Sequence, residues 1–331
     1  MVKYKAKIDS LGNYVPKKIV NNFDLEKMVD TSDEWIKVRT GMFERHFADE
    51  TEAASDLAYK AAENAIHNSN TTRHKDIQMI IVGTISADHP FPSTACILQN
   101  KLGLKDIPAF DISAGCTGFI YAIDVAKQYI ENGLCDTILV VGVEILSRLI
   151  NWTDRGTCVL FGDGAGAAIV KRAESGDISQ IIESKITADA SEWDLLQQKA
   201  GGSRLPASHE TVDQSLHSVY MEGNKIFKHA VKSMYNVTMD VLKKHNMGVK
   251  DIDWVIPHQA NMRIIESLAD KLKVPKEKVI VTIERFANTS SSSVPIAMTE
   301  AVKSNQIKRG DIVVLTAFGA GLTYGTLLLR Y

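Results

Sequence analysis

The sequence has little that could act as covalent or metallic reinforcement. Its four cysteines, Cys96, Cys116, Cys135 and Cys158, form no CxxC pair, and its nine histidines include no HExxH or HxH spacing. A zinc site or a disulfide framework therefore has little support, and no metal is expected. Blocks of like charge are also missing: 38 Lys and Arg face 40 Asp and Glu, a net charge of −2, which argues against a nucleic-acid binder. No stretch approaches the ~20 uninterrupted apolar residues of a membrane-crossing helix. Met1 to Lys7 lack the long apolar run of a signal peptide. These absences point to a cytoplasmic protein with reduced thiols and no membrane partner.

What is present is ordinary in amount and ordered in pattern. The 331 residues, 45% apolar and 24% charged, suit a soluble chain of about two domains' length that buries its core unaided. From Glu52 to His67 the residues Ala54, Leu57, Ala58, Ala61, Ala62, Ala65 and Ile66 recur at helical spacing, and a strand follows from Ile77 to Thr84. The same order returns later as a helix through Ile226, Ala230, Met234, Val237 and Val241, then a strand at Ile252 to Ile256. Landmarks keep a nearly constant offset: Asp76 with Asp251 (251 − 76 = 175), Leu102 with Leu272 (170), Cys116 with Asn288 (172) and Val140 with Val313 (173). This reads as a duplicated α/β unit, with halves at 1–174 and 175–331. The polar segment 188–218 is either an insertion or flap, or a solvated linker between the halves.

Three residues stand where chemistry is expected. Cys116 lies in Ser113-Ala114-Gly115-Cys116-Thr117-Gly118, between a strand and an apolar helix. The N–H groups and dipole of that helix would favour a nucleophilic thiolate, whereas the bland alternative is a small buried hydrophobe. His258 ends the strand Trp254 to Pro257, a place where α/β sheets gather ligands, although a core or capping histidine would also fit. Asn288 needs no function as a cap of the helix after it. The run Gly162-Asp163-Gly164-Ala165-Gly166 leads into a strand rather than a helix, so it is read as turn glycines in a tight hairpin and not as a nucleotide fingerprint.

Taken in order, these stretches resemble the beta-ketoacyl-[acyl-carrier-protein] synthase III family of thiolase-fold condensing enzymes. The matching segments are Asp30 to Ile36 with Arg39-Thr40-Gly41, the Cys116 turn, Asp154 to Thr157, Phe161 to Gly166, Pro257 to Asn261, Asn288 to Ser290 and Phe318 to Gly321. They span essentially the whole chain. The resemblance implies a duplicated thiolase-like fold in five αβαβα layers, acting as a homodimer. It implies a decarboxylative condensation of a short acyl-CoA with malonyl-acyl carrier protein, initiating fatty-acid synthesis without a metal or redox cofactor.

By the same resemblance Cys116 is the nucleophile, and His258 and Asn288 donate hydrogen bonds to the malonyl thioester oxygen as CO2 departs. For that the histidine should be neutral, with Nε2 protonated. Backbone N–H groups of Cys116 and Ala320 form the oxyanion hole. CoA and substrate contacts fall to Thr31, Trp35, Arg39, Arg155, Leu160, Gly223, Phe227, Asn261 and Phe318. Trp35 would stack on adenine, with Arg155 on the base's other side. Thr31 and Glu34 also fit a capping box that explains them without a ligand. Phe91 would cross the dimer interface into the partner's acyl pocket, and Lys228, Arg263 and Lys271 would dock the acidic carrier protein.

The chain departs from the family's habits at Gly115 and Thr117, often Ala, at Ala320, usually Gly, and at Leu322 and Tyr324, often larger aromatics. If position 320 requires φ > 0, a Cβ there adds strain of about 1 kcal/mol. Other readings of the same motifs are an acyl-CoA-dependent acyltransferase of secondary metabolism with a different acceptor, a silent dimer subunit or CoA-binding module, and a cysteine hydrolase.

Overall fold

Runs of Val, Ile, Leu and Ala without polar alternation are expected of strands covered on both faces, and such runs form two central sheets. The computed structural model describes residues 4–331; Met1 to Lys3 lie outside the described residues. The first sheet contains β1 (Ala6–Tyr14), β2 (Ile80–Gly83), β3 (Ala109–Ile112), β4 (Thr137–Ile145) and β5 (Asp163–Arg172), in the order β1-β5-β4-β2-β3. The second contains β6 (Gln180–Ala188), β7 (Trp254–Pro257), β8 (Ile312–Gly319) and β9 (Thr323–Arg330), in the order β7-β8-β9-β6. Every residue of β4 and β8 is buried.

Seven helices complete the layers: α1 (Asp33–Thr40), α2 (Ala54–His67), α3 (Thr94–Lys101), α4 (Gly118–Glu131), α5 (Gly223–Lys244), α6 (Met262–Leu272) and α7 (Ser293–Lys303). Between the sheets lie α4, which touches β4 and β9, and α7, which touches β5 and β7. The outer face of the first sheet is covered by α2 and α3; that of the second by α5, with α6 packed on it. The result is the αβαβα sandwich. The burial of each helix follows its layer. α4 is apolar around most of its surface, with Phe119, Ile120, Ile123, Ala126 and Ile130 fully buried, as a helix held between two sheets must be. By contrast α6 buries a single stripe through Ile264, Leu268 and Leu272. Truncating a side chain such as Ile123 to Ala would cost about 2–5 kcal/mol.

The duplication is visible in the register. Ile81 of β2 pairs in parallel with Val140 of β4, and Val255 of β7 with Val314 of β8, so one offset relates both pairings (255 − 81 = 314 − 140 = 174). Asp76 accepts from the Arg73 N–H at 2.8 Å, and Asp251 from the Gly248 N–H at 2.7 Å. The matching of Cys116 with Asn288, however, is displaced by three residues. A 3-10 turn Gly115–Thr117 leads into α4, and Ser290–Ser292 leads into α7. Both open on a positive φ, 54° at Gly115 and 50° at Ser290. Cys116 thus corresponds to Ser291, and Asn288 stands ahead of the turn, because loop lengths drift where strand registers do not.

Two further expectations change. Gly164 and Gly166 lie within β5 rather than in a hairpin turn. A Cβ on Gly166 would stand 2.7 Å from Pro295, and one on Gly164 2.9 Å from Ile296; the glycines let α7 press against the sheet. The 188–218 segment is a folded flap and not a linker. It holds a 3-10 stretch Ala190–Leu195, a strand Leu196–Gln198 and a short helix His209–Asp213. Its strand pairs with Val219–Met221. Among the described residues no helix is long and apolar enough to cross a membrane.

Candidate active site

The site forms where strand ends meet helix starts. Cys116 sits on the 3-10 turn ahead of α4, His258 follows β7 directly, and Asn288 precedes the turn that begins α7. All three line one cavity of about 870 Å³. Its walls are largely apolar, formed by Leu146, Leu160, Ile226, Phe227, Met234 and Phe318, with Leu196 contributed by the flap and Val219 and Met221 by the strand paired with it.

Each polar side chain is held so that one atom remains free. The His258 N–H donates to the Thr316 carbonyl at 2.8 Å, and Nδ1 lies 2.6 Å from the Ser293 hydroxyl. Ser293 Oγ also accepts from the Gln259 N–H at 3.3 Å, so its own proton is available for Nδ1. That arrangement leaves the ring proton on Nε2. Burial pushes the imidazole down to about 3, so it is neutral at physiological pH. Asn288 is gripped through its backbone, its N–H donating to the Leu160 carbonyl and its carbonyl accepting from the Gly162 N–H, each at 3.0 Å. Its Oδ1 accepts from the Ser290 N–H at 2.8 Å, which leaves the Nδ2 amide as the donor.

Cys116 differs from expectation. Burial pushes its thiol up to about 12, opposed by the hydrogen bond from Ser290 and helped to a lesser degree by the charge of Glu144. The turn at the start of α4 does not overcome desolvation, and the resting group is a thiol. The two segments expected to form the oxyanion hole pack closely: a Cβ on Gly319 would stand 2.5 Å from the Cys116 nitrogen, and one on Gly115 2.7 Å from the Ala320 nitrogen. Neither of these N–H groups donates to any group among the described residues. Ala320 is not in the positive-φ region; that conformation falls on Gly321, φ 133°. The expected strain at 320 is absent because the next residue takes the turn.

Of the other residues expected at the site, Trp35, Arg39, Leu160, Gly223, Phe227, Asn261, Phe318, Ala320, Lys228 and Arg263 line the cavity. Asn261 also caps α6 and donates to the Arg39 carbonyl at 3.1 Å. Four lie apart from the lining. Thr31 is outside α1, whose cap is Ser32, accepting from the Trp35 N–H at 3.1 Å; the expected Thr31–Glu34 capping box is not formed, because the cap falls one residue later, on Ser32, which has the extended backbone of a cap. The Thr31 hydroxyl is buried without a partner. Arg155 rests on Trp35 itself, 4.8 Å from the ring centroid, anchored by donation to the Asp30 carbonyl at 2.9 Å. That is direct contact, with no space for a base between them. Trp35 is half-buried rather than fully exposed. Phe91 is 85% exposed on the loop before α3, and Lys271 lies 5.0 Å from the Tyr235 ring.

Sequence reasoning missed Glu144, Ser290 and Ser293. The signal for Glu144 was a carboxylate inside the apolar run Thr137 to Ile145, and that for the serines was a polar run in a segment with no exposed residue.

Two family models match, 3-oxoacyl-[acyl-carrier-protein] synthase III over residues 110–190 and its C-terminal part over 242–331. The chain is 51% identical over 329 residues to a beta-ketoacyl-[acyl-carrier-protein] synthase III of Caldanaerobacter subterraneus, covering 99% of this chain and 98% of that one. It is 48% identical over 328 residues to the enzyme of that name in Campylobacter fetus, with the same coverage. The crystal structure of 3-oxoacyl-[acyl-carrier-protein] synthase III from Aquifex aeolicus is similar with a TM-score of 0.90 and 46% identity, over 98% of this chain and 100% of that one.

Proposed function

Since this chain belongs to the beta-ketoacyl-[acyl-carrier-protein] synthase III family, we propose that Cys116, His258 and Asn288 divide the work of its reaction. The chain is a condensing acyltransferase that joins the acyl group of an acyl-CoA to malonyl-carrier protein, giving a 3-oxoacyl-carrier protein at the start of fatty-acid synthesis. In the proposed scheme Cys116 sulfur attacks the thioester carbonyl, and the N–H groups of Cys116 and Ala320 hold the oxyanion. The C–S bond to CoA breaks and the thiol proton passes to the departing sulfur, so the step exchanges one thiol for another. Malonyl-carrier protein then enters. Its C–C bond to the carboxylate breaks, CO2 leaves, and the electron pair moves onto the thioester oxygen as an enolate. Nε2 of His258 and Nδ2 of Asn288 donate to that oxygen. The enolate carbon attacks the acyl-enzyme, and Cys116 leaves as a thiolate that takes a proton from solvent. Each role is assigned to the chain's own residues, with no cofactor.

Trp35, Arg39, Thr31 and Arg155 hold the nucleotide end of CoA in this reading, with Arg155 swinging off Trp35 to admit adenine. The pantetheine arm passes Leu160, Gly223, Phe227, Asn261 and Phe318. Lys228, Arg263 and Lys271 dock the carrier protein. Phe91, 85% exposed on its loop, enters the partner's pocket in a cytoplasmic homodimer in this reading. The observation that carries the proposal is the convergence of the thiol, an Nε2 donor and an Nδ2 donor on one apolar-walled cavity, each with its competing atom already satisfied. Measuring 3-oxoacyl-carrier formation by Cys116→Ala, His258→Ala and Asn288→Ala tests it. Loss in all three is expected; full condensation by Cys116→Ala would overturn it.

A further inference from the structure

A carboxylate in the middle of a fully buried strand demands an account. Glu144 is 0% exposed on β4, and an ionisable group so placed is costly unless donors surround it. Its partners come from both halves of the chain. From the loop after β2, the Ser86 hydroxyl donates at 2.6 Å, the Ile85 N–H at 3.1 Å and the Thr84 hydroxyl at 3.3 Å, all to Oε2. From the turn before α7, the Ser290 hydroxyl donates to Oε1 at 3.2 Å. Burial pushes the carboxyl up to about 7.

Ser290 is an unusual residue to find tethered. It is buried and has a φ of 50°, a left-handed conformation that is unfavourable for a residue with a Cβ. Its N–H is the group that occupies Oδ1 of Asn288. The Asn288 amide cannot turn over without losing that bond, so the orientation of its NH2 group depends on where Ser290 is held.

We propose that Glu144 is a positioning residue for the decarboxylation step: by fixing the Ser290 hydroxyl it aims the Asn288 amide at the enolate oxygen. The same carboxylate ties the Thr84–Ser86 loop to the Asn288 turn, so it sets the spacing of two loops whose Ile85, Asn288 and Ser290 line the cavity that holds Cys116. The inference rests on the reading of Asn288 as an enolate donor. It concerns the second half-reaction, since acyl transfer to Cys116 makes no use of the Asn288 amide.

The test separates the half-reactions in the full-length protein. Acylation of Cys116 is followed by intact mass after mixing with an acyl-CoA, and condensation by release of CO2 from malonyl-carrier protein. Because Glu144 raises the Cys116 thiol and the Ser290 hydroxyl lowers it, Glu144→Ala is expected to acylate at least as fast as the parent and Ser290→Ala somewhat more slowly. Their condensation should fall about 100-fold, the size of losing or misplacing one oxyanion donor, with the loss in kcat and not in KM for malonyl-carrier protein. Glu144→Gln, of the same shape and with an amide oxygen able to accept from Ser290, should recover part of that loss; it also serves should the alanine variant fail to fold. Equal loss of both half-reactions in the folded variants, or undiminished condensation, would overturn the proposal. Asn288→Ala run alongside keeps the premises apart. If that variant still condenses, the assignment of Asn288 fails; if it does not while the Glu144 and Ser290 variants do, only the role of Glu144 fails.

Discussion

The Ser293 hydroxyl stands 2.6 Å from Nδ1 of His258. The same oxygen accepts from the Gln259 N–H, and with its own proton donated to Nδ1 it leaves the ring proton on Nε2, the tautomer that the proposed role requires. Ser293→Ala removes that preference and lets the imidazole carry its proton on either nitrogen. Condensation by this variant is expected to fall about fivefold, a hydrogen bond's worth of about 1 kcal/mol, with acylation of Cys116 spared. Equal losses in the two half-reactions would show that Ser293 merely supports the fold.

Acylation should climb steeply with pH. With burial pushing the Cys116 thiol up to about 12, the thiolate is a minor form throughout the neutral range, and its fraction grows about tenfold per pH unit. Alkylation of the free enzyme by iodoacetamide is expected to rise without a plateau from pH 6 to 9, readily followed by mass. A plateau below pH 8.5 would mean that the helix start, and not desolvation, governs the thiol.

That reversal marks where the sequence stopped being legible. The position of Cys116 at a strand-to-helix turn is a local pattern and could be read directly; whether the thiol is desolvated depends on β8, whose Gly319 closes over it from 200 residues away in the chain. His258 at the end of β7 and the duplicated α/β unit were legible for the same local reason, since apolar periodicity reports strands, helices and their alternation; the five layers came through the family resemblance alone. The hairpin reading of Gly164 and Gly166 failed because a close-packed partner, α7, is invisible in the run itself. Thr31 was misplaced as a cap by one residue, as local propensity cannot choose between neighbouring Thr and Ser. Glu144 and Ser290 went unnoticed because their meaning lies in a contact between the two halves.

Glu144 should also leave a mark on stability. Its folded carboxyl titrates near 7 against an ordinary value of 4.5, so between these limits the folded state holds the proton more tightly than the unfolded one. The stabilisation from this group is complete below about pH 4.5 and is lost as pH rises through 7, amounting to at most about 3 kcal/mol. Glu144→Gln is therefore expected to flatten the fall in stability of the parent between pH 5 and 8 in denaturant titrations. An unchanged slope would place the ionisation elsewhere.

Trp35 offers a face that Arg155 covers at 4.8 Å. If adenine takes that face, Trp35→Ala should raise KM for acyl-CoA about 10- to 100-fold, since stacking contributes about 1–3 kcal/mol per base. The penalty should shrink with an acyl-pantetheine donor that has no base, compared by steady-state kinetics. An equal penalty on both donors would put the base elsewhere.

The central claim is that Cys116 carries the acyl group between the two substrates. Intact mass after brief incubation with a panel of acyl-CoAs, followed by addition of malonyl-carrier protein, tests it most directly. The expected record is a gain of one acyl group, absent from Cys116→Ala, that disappears as 3-oxoacyl-carrier protein forms. A gain that persists in Cys116→Ala, or an adduct that malonyl-carrier protein fails to discharge, would contradict the claim.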